Sequence, residues 1–135
     1  MTPPQTFMKF TLRKNEVLRS QTIISGLFQP GFFVNAYPLR INYRLSPVLP
    51  EAPKLQVLFS VSKRRFKKAT DRNRVKRLQR EVYRLNKHKL LELPLFSSQS
   101  MVVAIIYTGQ QLPEYKELTA SFLRCVKKIG EQTHE

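Results

Sequence analysis

The sequence predicts an α+β sandwich, a small mixed sheet with helices packed on it in the order α-β-β-α-β-α. Three observations predict it. Leu39 to Leu45 and Leu55 to Ser62 alternate apolar and polar residues at the period of a strand. Asp71 to Leu91 and Pro113 to Ile129 carry apolar residues at helical spacing. Between those two lies the longest apolar run, Met101 to Tyr107, which is strand-sized. Each strand has one apolar face and each helix one apolar stripe, and these must cover one another. With 135 residues, 41% of them apolar, the chain suits one domain with a modest core.

The elements follow in order. Residues 1–14 are polar with Pro3 and Pro4 and read as a loose arm; the domain spans 15–130, and 131–135 form a tail. Ser20 can cap a short helix to about Phe28, with Ile23, Ile24 and Leu27 on its buried side and Pro30 and Gly31 as its stop. Phe32 to Asn35 is a candidate for an added short strand. In the next strand Leu39, Ile41, Tyr43 and Leu45 face one way, and Arg40, Asn42 and Arg44 the other. Pro47, Pro50 and Pro53 make Ser46 to Lys54 a loop. The second strand turns Leu55, Val57, Phe59 and Val61 inward and leads into a basic loop, Lys63 to Lys68. Thr70 is the expected N-cap of the long helix, and Asp71 suits its positive end. Val75, Leu78, Val82 and Leu85 form its apolar stripe, and Pro94 stops it. Gly109 ends the third strand. Pro113 opens a last helix that buries Leu118, Phe122, Val126 and Ile129, with Gly130 as its stop.

Charge points to function. The chain has 24 Lys and Arg against 9 Asp and Glu, a net charge of +15. Residues 63–89 hold 13 of those cations, opposed by Asp71 and Glu81 alone, so the excess is a local patch. Arg72, Lys76, Arg80, Arg84 and Lys87 line the side of the long helix opposite the apolar stripe, with Asn73 and Arg77 among them. Cations at i, i+4 repel by a few tenths of a kcal/mol per pair. Solvated helix faces usually mix both signs. A face of one sign, rich in Arg, implies a polyanionic partner whose phosphates offset the repulsion.

Other classes fit poorly. No apolar run approaches the roughly 20 residues that span a bilayer. Residues 1–9 lack the apolar stretch of a signal peptide. The lone Cys125 forms no internal disulfide, which suits a reducing compartment, and the expected location is cytoplasmic. Asp71 is the only Asp, and no carboxylate cluster suggests a two-metal nuclease. His88 and His134 are isolated. No catalytic or metal-ligating residue is therefore expected on the protein.

One constellation is more specific. Phe59-Ser60-Val61-Ser62-Lys63-Arg64, then Ala69, then Arg72-Asn73-Arg74-Val75-Lys76-Arg77-Leu78, then Arg80-Glu81 and Arg84, resembles the signature of the bacterial ribonuclease P protein family. That pattern is a strand ending in S-V-x-K, a basic loop, and a helix opening R-N-R-x-K-R-x-x-R-E. The match is sharp from Leu55 to Leu85 and extends over Leu18 to Ile129 as an order of elements. It departs at Thr70-Asp71 and in the proline-rich loop. The resemblance implies a ribosomal-protein-S5-domain-2-like fold with a left-handed βαβ crossover, against the usual hand.

It also implies a role: the non-catalytic subunit of a ribonucleoprotein that removes the 5′ leader of precursor tRNA. The partners would be ribonuclease P RNA and precursor tRNA, not DNA and not a membrane. The active site and its Mg²⁺ would belong to the RNA, and the protein alone would bind no cofactor. Arg72, Asn73 and Arg77 would contact the RNA subunit, and Lys76 and Arg80 would lie nearer the leader. Arg74 would serve structure or RNA, Arg84 would extend the RNA-binding face, and Lys63, Arg64, Arg65, Lys67 and Lys68 would supply the basic loop. Phe28, Arg40, Asn42 and Tyr107 match a leader-binding cleft, though Phe28, ending a helix, reads equally as core. The alternative is a ribosome-associated or RNA-assembly protein with no part in cleavage.

Overall fold

The computed structural model describes residues 32–47 and 53–132; the expected arm, the Ser20 to Phe28 helix and most of the proline-rich loop lie outside them. Within that range the chain runs β1 (Phe32–Ala36), β2 (Leu39–Pro47), β3 (Leu55–Val61), α1 (Ala69–Leu91), a 3₁₀ turn (Pro94–Ser97), β4 (Gln99–Tyr107) and α2 (Tyr115–Glu131). The four strands form one sheet in the order β1-β2-β4-β3. β1 and β4 each run antiparallel to β2, while β3 runs parallel to β4 and reaches it through α1. The candidate strand at Phe32 is thus present and forms one edge.

Strand alternation sorts the sheet into two faces. Leu39, Ile41 and Tyr43 of β2, Leu55, Val57, Phe59 and Val61 of β3, and Met101, Val103, Ile105 and Tyr107 of β4 lie in one buried core. α1 covers it with Val75, Gln79, Val82, Tyr83 and Leu90. α2 adds Leu118, Ser121, Phe122, Cys125, Val126 and Ile129. Tyr83 stands between the layers, edge-on to Phe59 at 5.8 Å and to Phe122 at 6.2 Å. The opposite face carries Arg40, Asn42 and Arg44, with a smaller apolar cluster of Ala104, Leu58, Val102 and Ile106.

Several ends differ from the sequence reading. α1 starts at Ala69, so Lys68 is its N-cap and Thr70 lies in the first turn. The Asp71 and Arg72 amides donate to Lys68 O, and no side chain caps this end. α2 runs through Gly130 to Glu131. Gly130 answers a steric need instead: a Cβ there would stand 3.0 Å from Leu93 Cδ2. Pro113 is buried just ahead of the Glu114 N-cap. Pro47 is the last residue of β2, where β1 pairing has already ended at Tyr43, so its missing N–H costs that side nothing.

Two carbonyls of β1 are tied to α2. Lys128 Nζ donates to Asn35 O, and Gln132 Nε2 donates to Phe33 O at 3.2 Å. Gln132 Oε1 also accepts from the Tyr43 hydroxyl.

Candidate nucleic-acid interface

The basic surface has two parts, the loop between β3 and α1 and the outer face of α1. Twenty-three residues make α1 about 34 Å long at 1.5 Å per residue. Asn73, Arg74, Lys76, Arg77 and Arg80 are exposed along it, and Lys63, Arg64, Arg65, Lys67 and Lys68 are exposed in the loop. Val75 and Val82 are buried as expected, with Leu78 and Leu85 half-buried. Gln79 and Tyr83 are buried too, which the apolar pattern did not indicate because neither is aliphatic. Gln79 Nε2 donates to Ile105 O on β4 at 3.2 Å, a polar link that fixes α1 over the sheet.

Glu81 and Arg84 form an ion pair at 2.6 Å. A second bond runs from Arg84 Nε to Glu81 Oε1 at 3.2 Å, so the fork engages both carboxylate oxygens. Hydrogen bonding from Arg84 holds the Glu81 carboxyl below its ordinary range and Arg84 above its own. Glu81 thus engages a cation at the middle of the helix, and Asp71 is the acid of its first turn. Arg80 lies over the Phe59 ring, 5.8 Å from its centroid.

The loop is ordered by its own backbone. Phe66 N–H donates to Ser62 O at 3.1 Å, and Arg64 N–H to Ser62 Oγ at 3.1 Å. Phe66 is buried against Tyr107, with ring centroids 5.9 Å apart. Arg65 Nη1 donates to Thr108 O beyond β4. Arg72 Nη1 donates to Phe66 O at 2.7 Å and Lys67 O at 2.9 Å. Two arginines read from sequence as RNA contacts are thus bonded to protein carbonyls. No sequence signal separates them from their neighbours, because the carbonyls they reach are fixed only by the folded loop.

The leader-cleft residues are split. Arg40 and Asn42 share the sheet face away from α1 and α2, and Arg40 Nε donates to Asn42 Oδ1 at 2.9 Å. Arg40 also stacks over Phe33, 4.2 Å from the ring centroid. Phe33 was not singled out by sequence, yet its pairing opposite Asn42 places it on this face, and it is exposed. Alternation within the Phe32-Phe33 doublet was the available signal.

Tyr107 does not join them. It pairs with Leu39 and Val61 and shares the parity of Met101, Val103 and Ile105, so it faces the helices. Its hydroxyl donates to Gln111 O at 2.6 Å, and Gly109 leaves the room, since a Cβ there would meet the Tyr107 hydroxyl. Phe28 lies outside the described residues.

Burial pushes the Tyr107 and Tyr43 hydroxyls up to about 12 and the Cys125 thiol up to about 11. Among the described residues no three His, Cys, Asp or Glu side chains come together as a metal site, and no helix is long and apolar enough to cross a membrane.

Comparison with known proteins gives consistent matches. The family model described as ribonuclease P matches residues 12–130. The ribonuclease P protein component of Porphyromonas gingivalis is 36% identical over 130 residues, covering 96% of this chain and 92% of that protein. That of Chlorobium phaeobacteroides is 35% identical over 128 residues, covering 88% of each. In fold, the chain is similar to the RNase P protein of Staphylococcus aureus, with TM-score 0.62 at 16% identity, over 84% of this chain and 94% of that one. A mutant of the Staphylococcus aureus protein gives TM-score 0.64 at 17% identity, over 93% of both chains.

Proposed function

The chain belongs to the ribonuclease P protein family, as the protein component of an RNA–protein endoribonuclease, and we propose that it binds the catalytic RNA and the 5′ leader of precursor tRNA while the RNA carries out cleavage. Family membership favours this subunit role over the ribosome-associated alternative. The observation that supports the binding reading is the cation-rich surface from Lys63 to Arg80, in which Asp71 is the single acid.

Lys63, Arg64, Lys67 and Lys68 of the loop, with Asn73, Arg74, Lys76, Arg77 and Arg80 of α1, are the groups assigned to RNA. Each phosphate contact adds about 0.7–0.9 to the slope of log affinity against log salt. Arg65 and Arg72 act first on the protein's own backbone. Arg84 reaches a phosphate by exchanging its bonds with Glu81. On the far sheet face exposed Phe33 and half-buried Arg40 form a small platform for the single-stranded leader, with the ring giving a stacking surface and buried Asn42 holding Arg40 in place. Mg²⁺ belongs to the RNA in this reading, and the site of action is the cytoplasm.

Glu81→Gln is expected to tighten binding to ribonuclease P RNA and steepen the salt dependence by about one contact, 0.7–0.9, because it removes the carboxylate charge that pairs with Arg84. A filter-binding titration across salt concentrations measures it; an unchanged slope would place Arg84 outside the RNA footprint.

The direct experiment combines the purified protein with cognate ribonuclease P RNA and follows precursor-tRNA cleavage at low Mg²⁺. The mixture should cleave at the mature 5′ end far faster than the RNA alone, and the protein alone should not cleave. Cleavage no faster than that of the RNA alone removes the proposed role in leader processing.

A further inference from the structure

We propose that Arg72 is a positioning residue that clamps the basic loop onto the start of α1, so that the loop's cations stand in fixed register with those of the helix. This rests on the proposed role of the loop in holding RNA phosphates.

The seven residues between β3 and α1, Ser62 to Lys68, include five cations. Like charges so close repel, and an untethered loop of this composition would expand. It is instead closed at several points. Phe66 anchors its middle in the core against Tyr107, and Ser62 holds the first turn through its carbonyl and its hydroxyl. Arg72 closes the far side. Its Nη1 donates to two consecutive carbonyls, Phe66 O and Lys67 O, at 2.7 and 2.9 Å. Both hydrogens of that nitrogen are thereby used, which leaves Nε and Nη2 for other acceptors. A planar guanidinium suits this paired geometry, whereas an ammonium on a flexible stem does not fix it. Arg72 is half-buried, unlike Asn73, Arg74, Lys76 and Arg77 beside it, as expected of a group turned toward its own chain. Lys67 and Lys68, whose backbone it restrains directly, remain exposed. The clamp spares RNA the entropy of ordering that segment on binding.

Arg72→Lys tests this, because it keeps the charge and removes the fork. Amide hydrogen exchange of the free protein should quicken about tenfold or more in residues 62–68 and stay unchanged in the sheet and in the body of α1. The salt slope for ribonuclease P RNA should also fall by about 0.7–0.9 or more, although no charge was removed, since loop cations leave their register. Unchanged loop exchange, or a salt slope equal to that of the parent, overturns the clamp and makes Arg72 an ordinary phosphate contact. If the parent protein itself shows no salt-dependent binding to that RNA, the RNA-binding reading fails, and loop exchange still tests the clamp as a structural device.

Discussion

Reversing charge at Lys76, Arg77 and Arg80 together is expected to weaken binding to ribonuclease P RNA by about a hundredfold or more at 0.15 M salt. All three are exposed on α1, at spacings of three and four residues that put them on one side of the helix. Loss of three phosphate contacts should lower the salt slope by about 2–3. The fold should survive, because none of the three donates a hydrogen bond to another element, and far-ultraviolet circular dichroism would verify it. A control separates patch from net charge. Reversing Lys54, Lys116 and Lys127, also exposed but outside α1 and the basic loop, changes the total charge equally and should cost much less. Equal losses in both triple variants would mean that binding follows total charge, and the α1 footprint would be abandoned.

Phe122→Ala should cost about 3–5 kcal/mol of folding stability, read as a lowered midpoint in urea. Phe122 is 1% exposed and meets Tyr83 edge-on, and Tyr83 in turn meets Phe59 of β3. The ring thus joins α2, α1 and the sheet, and its removal leaves a cavity at the point where the three layers touch. Domains of this size have about 5–15 kcal/mol in total, so much of the stability would go. Phe122→Leu, which keeps most of the volume, should cost less than half as much. A small effect from Phe122→Ala would show that α2 closes onto α1 without it, and the keystone role of the aromatic trio would be wrong.

Much of the fold was legible because strand parity and helix spacing are local properties of the chain. Ile41, Tyr43, Val57 and Phe59 face inward as alternation requires, and Leu118, Phe122, Val126 and Ile129 as a helical period requires. The position of α1 was legible for the same reason, together with its R-N-R-x-K-R opening. What escaped depends on partners distant in sequence. Gly130 looks like a helix stop until Leu93 is placed against it. Gln79 looks like surface until Ile105 O is found beneath it. Arg72 is one cation among many until the loop carbonyls converge on it. Tyr107 was assigned to the cleft by resemblance, and its parity within β4 sets it on the α1 and α2 side of the sheet, apart from Arg40 and Asn42.

The ties from Lys128 and Gln132 to β1 carry a consequence for how the protein behaves before it meets its RNA. A sheet margin is sticky because its outward carbonyls and amides can template another strand. On β1 the carbonyls of Phe33 and Asn35 are already occupied, so a second molecule zipping onto that margin would first have to evict the last turn of its host's own helix. Phe32 and Phe33, both exposed there, would otherwise reward such self-association. The C-terminal turn thus works as a stopper against polymeric growth, and it keeps this margin closed without spending any cation of the basic side of α1.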